Sequence, residues 1–183
     1  MERVPYRATA GSEPYSELRL PVSILLDNVR SMYNVGAFFR TADGAAIEQL
    51  LLSGITARPP KHAISKTALG AEDRVAWKNV ADPIQTLAEL RAHSYEIAAI
   101  ETSPAAVDIF DWQPQFPVCV LFGHEVDGLS ASLLATCDTR VRIPMLGMKH
   151  SLNVASAGAV VMYELLRKYR TLVDRAPGSP LFL

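Results

Sequence analysis

The sequence predicts an α/β domain built on a mostly parallel sheet with helices on both faces. Three observations lead there. Short apolar runs, such as residues 22–26 (VSILL) and 118–122 (VCVLF), alternate along the chain with segments of helical spacing. That alternation is what a parallel sheet wrapped by helices leaves in a sequence. Of the 183 residues, 49% are hydrophobic and 20% charged, a globular balance in a chain long enough to bury a core. The apolar runs are also far too short to cross a bilayer.

Taken in order, residues 1–20 are polar and punctuated by Pro and Gly, and read as an N-terminal arm. Residues 21–171 form the folded domain. A strand over 22–26 opens it, and a helix follows from near Asn34 to around Gly44. A strand at 49–52 precedes a long loop through Pro59-Pro60, and a short strand is expected at 75–77. Over 83–92, Pro83 in the first turn and Ile84, Leu87, Ala88 and Arg91 at helical spacing predict a helix. Strands follow at 95–100 and 118–122, and Ser130 can cap a short helix over Leu133 and Leu134. The last strand covers 140–143 and the last, longest helix 152–169. Residues 172–183 make a loose tail whose Leu181, Phe182 and Leu183 could dock elsewhere. In such sheets ligands bind beyond the carboxyl ends of the strands, so the loops that follow strands are where chemistry is expected.

Net charge is −1, so any nucleic-acid footprint has to be local. Candidate clusters are Arg3, Arg7, Arg19 and Arg30; Arg58, Lys61, His62 and Lys66; and Arg167, Lys168 and Arg170. Each by itself is what a solvated surface also looks like. The first residues contain no apolar signal segment, and the two cysteines, Cys119 and Cys137, form no C-x-x-C pair. The expectation is a cytoplasmic protein with reduced, structural thiols, no membrane contact and no metal.

Three loops carry the candidate chemistry. In the first, Asn34 can cap a helix, Gly36 allows close approach to its backbone, and Arg40 lies four residues on, on the same face. An anion site of guanidinium plus free amides fits this segment; so does an ordinary capped helix with a surface Arg. In the second, a buried strand ends at Gly123, followed by Glu125 and the turn pair Asp127-Gly128. Gly123 would let a ligand approach, and Glu125 can accept hydrogen bonds from a substrate or from Arg40. His124 completes no His-Glu-x-x-His spacing, because position 128 is Gly, and reads as a loop residue. In the third, Ile143-Pro144-Met145 ends a strand, and Ser151 and Asn153 can each cap the last helix. The small-residue run 155–159 in that helix expects another backbone nearby, either a neighbour in the chain or a partner subunit. No G-x-G-x-x-G, P-loop or G-x-S-x-G motif competes with these loops.

In this order the three segments resemble the signature motifs of the SpoU/TrmH branch of the SPOUT methyltransferases. The matching residues are Asn34, Gly36, Arg40, Thr41 and Ala42; Gly123, Glu125 and Gly128; and Ile143, Pro144, Met145, Ser151, Leu152, Asn153 and Val154. Residues 66–72 (KTALGAE) also look like the Ala-Leu-Gly-Ala-Glu loop of small family members. The likeness covers roughly residues 22–169. Two positions depart from the family pattern: His124 stands where a small polar residue is common, and Val-Ala-Ser-Ala-Gly follows Asn153.

The resemblance implies a C-terminal deep trefoil knot, the SPOUT α/β-knot, with S-adenosylmethionine bound in it, and a homodimer with sites at the interface. It implies methyl transfer to a ribose 2′-hydroxyl of RNA, either tRNA or rRNA; only RNA carries that hydroxyl. By the same likeness Arg40 is the catalytic residue, supported by Asn34, Glu125, Ser151 and Asn153. Gly123, Ile143, Met145 and Leu152 would hold the cofactor, with Ile100 at the end of its strand. A guanidinium stays protonated near neutral pH, so an arginine either has to be unusually perturbed to take the hydroxyl proton or orients a phosphate or water that takes it. Two other functions fit the same motifs: a non-catalytic RNA-binding or assembly protein with the same fold, and a methyltransferase for a base or small molecule.

Overall fold

The computed structural model describes residues 19–174. Most of the expected arm and tail, with Arg3, Arg7 and the Leu181-Phe182-Leu183 end, lies outside those residues. The first strand, β1 (Leu20–Asp27), leads through a tight exit at Asn28 (φ 57°) into α1 (Met32–Gly44). Ser31, not Asn34, caps this helix: its hydroxyl accepts the Asn34 N–H at 3.3 Å. Asn34 therefore sits inside the first turn, with its side chain free for other work.

β2 (Ile47–Ser53) follows, and then α2 (His62–Ala68), where the sequence suggested only loop. The segment has just two inward residues, Ile64 and Ala68, too few for a helical period to stand out. A 3₁₀ turn (Ala71–Asp73) leads to β3 (Ala76–Val80). Next come α3 (Pro83–Ala92), capped by the Asp82 carboxylate on the Gln85 amide at 3.0 Å, β4 (Glu96–Ile100) and the two-residue β5 (Val107–Asp108). β6 (Val118–Phe122), α4 (Ala131–Ala135) with Ser130 as its cap, and β7 (Thr139–Arg142) precede α5 (Val154–Asp174). α5 starts two residues later than its apolar pattern because the Asn153 side chain accepts the Ala155 and Ser156 amides. A side chain spent on capping belongs to the residue before the helix.

The strands form one seven-stranded sheet in the order β3-β2-β1-β6-β4-β7-β5, every pair parallel. Alternate residues supply two cores, as the pleat requires. Ile24, Leu26, Leu50, Val120, Phe122 and Val141 meet Phe38 and Phe39 of α1 and Val161, Met162 and Leu165 of α5 on one face. Leu25, Leu51, Ile97, Cys119 and Leu121 meet Leu87 of α3 and Leu133 of α4 on the other. The fold is thus α/β with helices on both faces.

The small-residue run of α5 is explained by α1. A Cβ on Gly158 would stand 2.3 Å from Cε1 of Phe38, so the backbone of α5 lies directly on that ring. The ring in turn packs edge-on against Phe122, with centroids 5.1 Å apart. Gly36 has the same purpose on the other side of α1: its Cβ would lie 2.1 Å from Thr67 Oγ1 and 2.3 Å from the Ile64 carbonyl oxygen of α2. These contacts fix α1 between its two neighbours. Among the described residues no helix is long and apolar enough to cross a membrane.

Candidate functional site

β1, β6, β4 and β7 are consecutive in the sheet, so their carboxyl ends open side by side. The loops that leave β6, β4 and β7 surround a cleft of about 390 Å³. Its walls include Ile100 at the end of β4, Gly123 and Glu125 after β6, Ile143 and Met145 after β7, and Ser151, Leu152 and Asn153 before α5. Eight of the ten residues singled out in the sequence therefore line one cavity. The remaining two, Asn34 and Arg40, lie on α1.

Asn34 joins the cleft through its side chain. Its Nδ2 donates to Glu125 Oε1 at 3.1 Å, and its Oδ1 accepts from Asn153 Nδ2 at 3.2 Å. The three motifs are thereby stitched together by one chain of hydrogen bonds, Glu125–Asn34–Asn153. Glu125 accepts two more, from the Arg30 amide at 3.0 Å and the Ser31 amide at 3.1 Å. Burial works against its charge, but those amides, with Asn34, outweigh it and hold the carboxyl below its ordinary range. Amides ahead of a helix favour an anion, and here the anion is the protein's own Glu125.

This decides between readings that the sequence left open. The two-part anion site of Gly36 and Arg40 does not form, because Gly36 is buried against α2 and Glu125 already occupies the amides ahead of α1. Glu125 fixes the start of α1 and does not bond Arg40, whose exposed side chain makes no hydrogen bond or ion pair among the described residues. Asn34 and Arg40 are six residues apart, about 240° around the helix, so they face different ways. Gly123, finally, lines the cleft and is also required by its own loop. A Cβ there would lie 2.3 Å from the Gly128 carbonyl carbon, and His124 and Gly128 exchange backbone hydrogen bonds at 3.1 and 2.9 Å. His124 completes this loop by accepting the Val126 and Asp127 amides on Nδ1.

Ser151 lines the cleft without capping α5, a task that falls to Asn153 alone. Glu101, Thr102 and His150 also line it and were not singled out in the sequence. Glu101 and Thr102 directly follow Ile100, so a central position for β4 would have pointed to them; sequence order gives no such position. No group of three or more His, Cys, Asp and Glu gathers for a metal among the described residues.

Other candidates resolve differently. Lys168 of the third basic cluster is buried, ion-paired to Glu164 at 3.4 Å and bonded to the Phe110 and Trp112 carbonyls, so it is structural. A roomier groove of about 530 Å³ opens at the amino ends of β4 and β7. Its acids are satisfied internally: Asp138 by Arg91 at 2.8 Å and Glu96 by Trp112 Nε1 and Thr139 Oγ1.

The cleft and its three loops coincide with a known family. Residues 21–163 match the SpoU rRNA Methylase family. A Staphylococcus haemolyticus protein assigned to the TrmH family of tRNA/rRNA methyltransferases is 29% identical over 157 residues, 86% of this chain and 63% of its own length. The 23S rRNA (guanosine-2′-O-)-methyltransferase RlmB of Vibrio parahaemolyticus is 29% identical over 148 residues, 81% of this chain and 60% of its own. The chain thus spans about three-fifths of these relatives' length. Among solved structures, the SpoU methyltransferase AviRb from Streptomyces viridochromogenes, in complex with the cofactor AdoMet, superposes with a TM-score of 0.76 at 26% identity, covering 85% of this chain and 63% of AviRb. With its signature loops gathered around one cleft and most of its length matched, this chain belongs to the SpoU rRNA methylase family.

Proposed function

We propose that the protein is an S-adenosylmethionine-dependent methyltransferase acting on a ribose 2′-hydroxyl of tRNA or rRNA. One observation carries the reading: the three motif loops, far apart in sequence, meet at a single cleft and are tied by the Glu125–Asn34–Asn153 bonds. The cleft has the size and mixed lining of a small-molecule site. Ile100, Phe122, Ile143 and Leu152 offer apolar walls for a nucleoside, and Glu101, Ser151 and His150 offer polar groups at its edge. Bound there, S-adenosylmethionine supplies a methyl group already activated by its sulfonium. With that chemistry supplied, the chain's own residues would have to align the ribose hydroxyl and pass its proton to a base or water.

The protein's own contribution is then mainly position. Asn34 and Asn153 hold the start of α1 against the start of α5, and Glu125 fixes both to the cofactor wall. Arg40 holds the RNA at the reacting ribose, as a phosphate- or water-orienting group. Because Arg40 faces away from Asn34, it serves a cleft presented by a second copy of the chain, which supports a homodimer. A deep trefoil knot formed by the segment from β7 through α5, and a cytoplasmic location beside the RNA, complete the proposal.

The test is titration calorimetry with S-adenosylmethionine, then transfer of labelled methyl to total RNA with mapping of 2′-O-methyl sites. Wild type binds the cofactor and methylates RNA; Arg40→Ala keeps the cofactor affinity, since Arg40 acts on the RNA, and loses transfer. Cofactor binding without transfer by wild type would instead favour a base or small-molecule acceptor, and no cofactor binding a non-catalytic RNA-binding role.

A further inference from the structure

Tyr33 is a large aromatic residue with no structural task in this fold. It lies in the first turn of α1, 52% exposed, and belongs to neither core. Its hydroxyl has no partner among the described residues. Its backbone, by contrast, is pinned: Thr67 Oγ1 donates to the Tyr33 carbonyl at 3.0 Å. Lys66, from α2, holds its ammonium 6.0 Å from the ring centroid. The ring thus stands half exposed on a pinned backbone, with the Lys66 ammonium over it and π surface open to solvent.

Its placement on α1 relates it to the rest of the site. Asn34, one residue on, turns toward Glu125 and Asn153. Arg40, seven residues on, returns to within about 20° of Tyr33 around the axis and lies about 10 Å along it. Helical side chains lean toward the N-terminus, so Arg40 leans back in the direction of Tyr33 and shortens that gap. Tyr33 and Arg40, both exposed, thus bracket the half-buried Ala37 in one stripe beside the stripe that meets the cleft. Lys66 flanks it, and Lys61 and His62 lie one turn earlier on the same exposed helix.

Cations spaced around a free aromatic face are how proteins hold unpaired nucleotides: bases stack on the ring, and the cations take the phosphates. We propose that Tyr33 is a base-stacking platform for the RNA substrate, with Lys66 and Arg40 holding phosphates on either side. The inference rests on the RNA-methyltransferase reading and extends it to how a nucleotide is presented. Tyr33 is a positioning residue here; Arg40 remains the group at the reacting ribose.

The test compares wild type with Tyr33→Leu, which keeps the apolar bulk and removes the π face, and with Tyr33→Phe and Tyr33→Trp, which keep it. Total tRNA and total rRNA are the probes, read by binding and by the split of KM and kcat in methyl transfer. Tyr33→Leu should weaken RNA binding roughly 5- to 100-fold and raise the RNA KM, while leaving S-adenosylmethionine affinity unchanged. Tyr33→Phe and Tyr33→Trp should stay within about twofold of wild type, as expected if only the ring matters. RNA should quench the fluorescence of Tyr33→Trp beyond any change seen in wild type. The inference is overturned if Tyr33→Leu binds RNA as wild type does, or if Tyr33→Phe is as weak as Tyr33→Leu, which would place the effect in the hydroxyl. A wild type that methylates RNA alongside an unimpaired Tyr33→Leu removes only the platform; a wild type that binds neither RNA nor cofactor removes the functional reading as well.

Discussion

Replacing Gly158 with Ala adds one methyl group where α5 lies on Phe38. Carbon atoms meet favourably at about 3.5–4.0 Å, and the new Cβ would stand 2.3 Å from Cε1 and 2.6 Å from Cζ. An overlap deeper than about 1 Å cannot be absorbed by a small ring rotation. Phe38 is fully buried and already held edge-on by Phe122 at 5.1 Å, so α1 and α5 have to separate. Overpacking of this kind costs about 1–3 kcal/mol. An overlap this deep sits at the upper end of that range, and alanine in a helix interior recovers about 1 kcal/mol over glycine, leaving a net loss of about 2 kcal/mol. For a domain of this size that lowers Tm by about 4–8 °C. Urea or thermal unfolding followed by far-UV circular dichroism measures it. Because the displaced helices begin beside Asn34 and Asn153, which meet at 3.2 Å, cofactor affinity should fall too. Gly158→Ala combined with Phe38→Leu should be less destabilised than the sum of the two single changes, since the added methyl then enters the vacated space. A Gly158→Ala protein as stable as wild type, or strict additivity in the double variant, would refute the packing argument.

Three further outcomes are expected. Glu125→Ala leaves the Arg30 and Ser31 amides and the Asn34 side chain without their shared acceptor; because the site faces water, stability should fall by only about 1 kcal/mol, while methyl transfer falls further through misplacement of α1. The Glu125 carboxyl is held below its ordinary value of 4.5 in the folded protein, so its stabilisation is complete above that value and is lost as pH falls through the folded pKa. Acid titration of wild type against Glu125→Gln should show that extra loss in wild type alone. As for the thiols, burial pushes Cys137 up to about 11 and Cys119 higher still. Iodoacetamide near pH 8 should therefore label neither in the native protein and both after unfolding, since the thiolate is the reactive form; rapid native labelling would contradict the burial.

Local pattern was enough for much of this protein. The Asp82-Pro83 start of α3, the Ser130 cap of α4 and the apolar β6 obey rules that act within a few residues: a carboxylate or hydroxyl meeting a free amide, a proline tolerated in a first turn, a buried strand between turns. The motif residues were equally legible, because the family pattern is a string of residue types at set spacing. What those residues touch was not. Glu125 lies 91 residues from Asn34, and Asn153 lies 119 from it; no local rule links such distances. Strand order alone set the ends of β6, β4 and β7 side by side and so made one cleft from three loops, with the end of β1 beside them. Two signature glycines, Gly36 and Gly123, make room for α2 and for the backbone of Gly128, and Gly123 lines the cleft as well. A missing side chain shows in sequence, but what fills the space is decided by packing across the fold. The sequence by itself determined the α/β class and the chemistry available; the tertiary structure decided which groups meet, because hydrogen bonds and steric contact depend on distance through space, not along the chain.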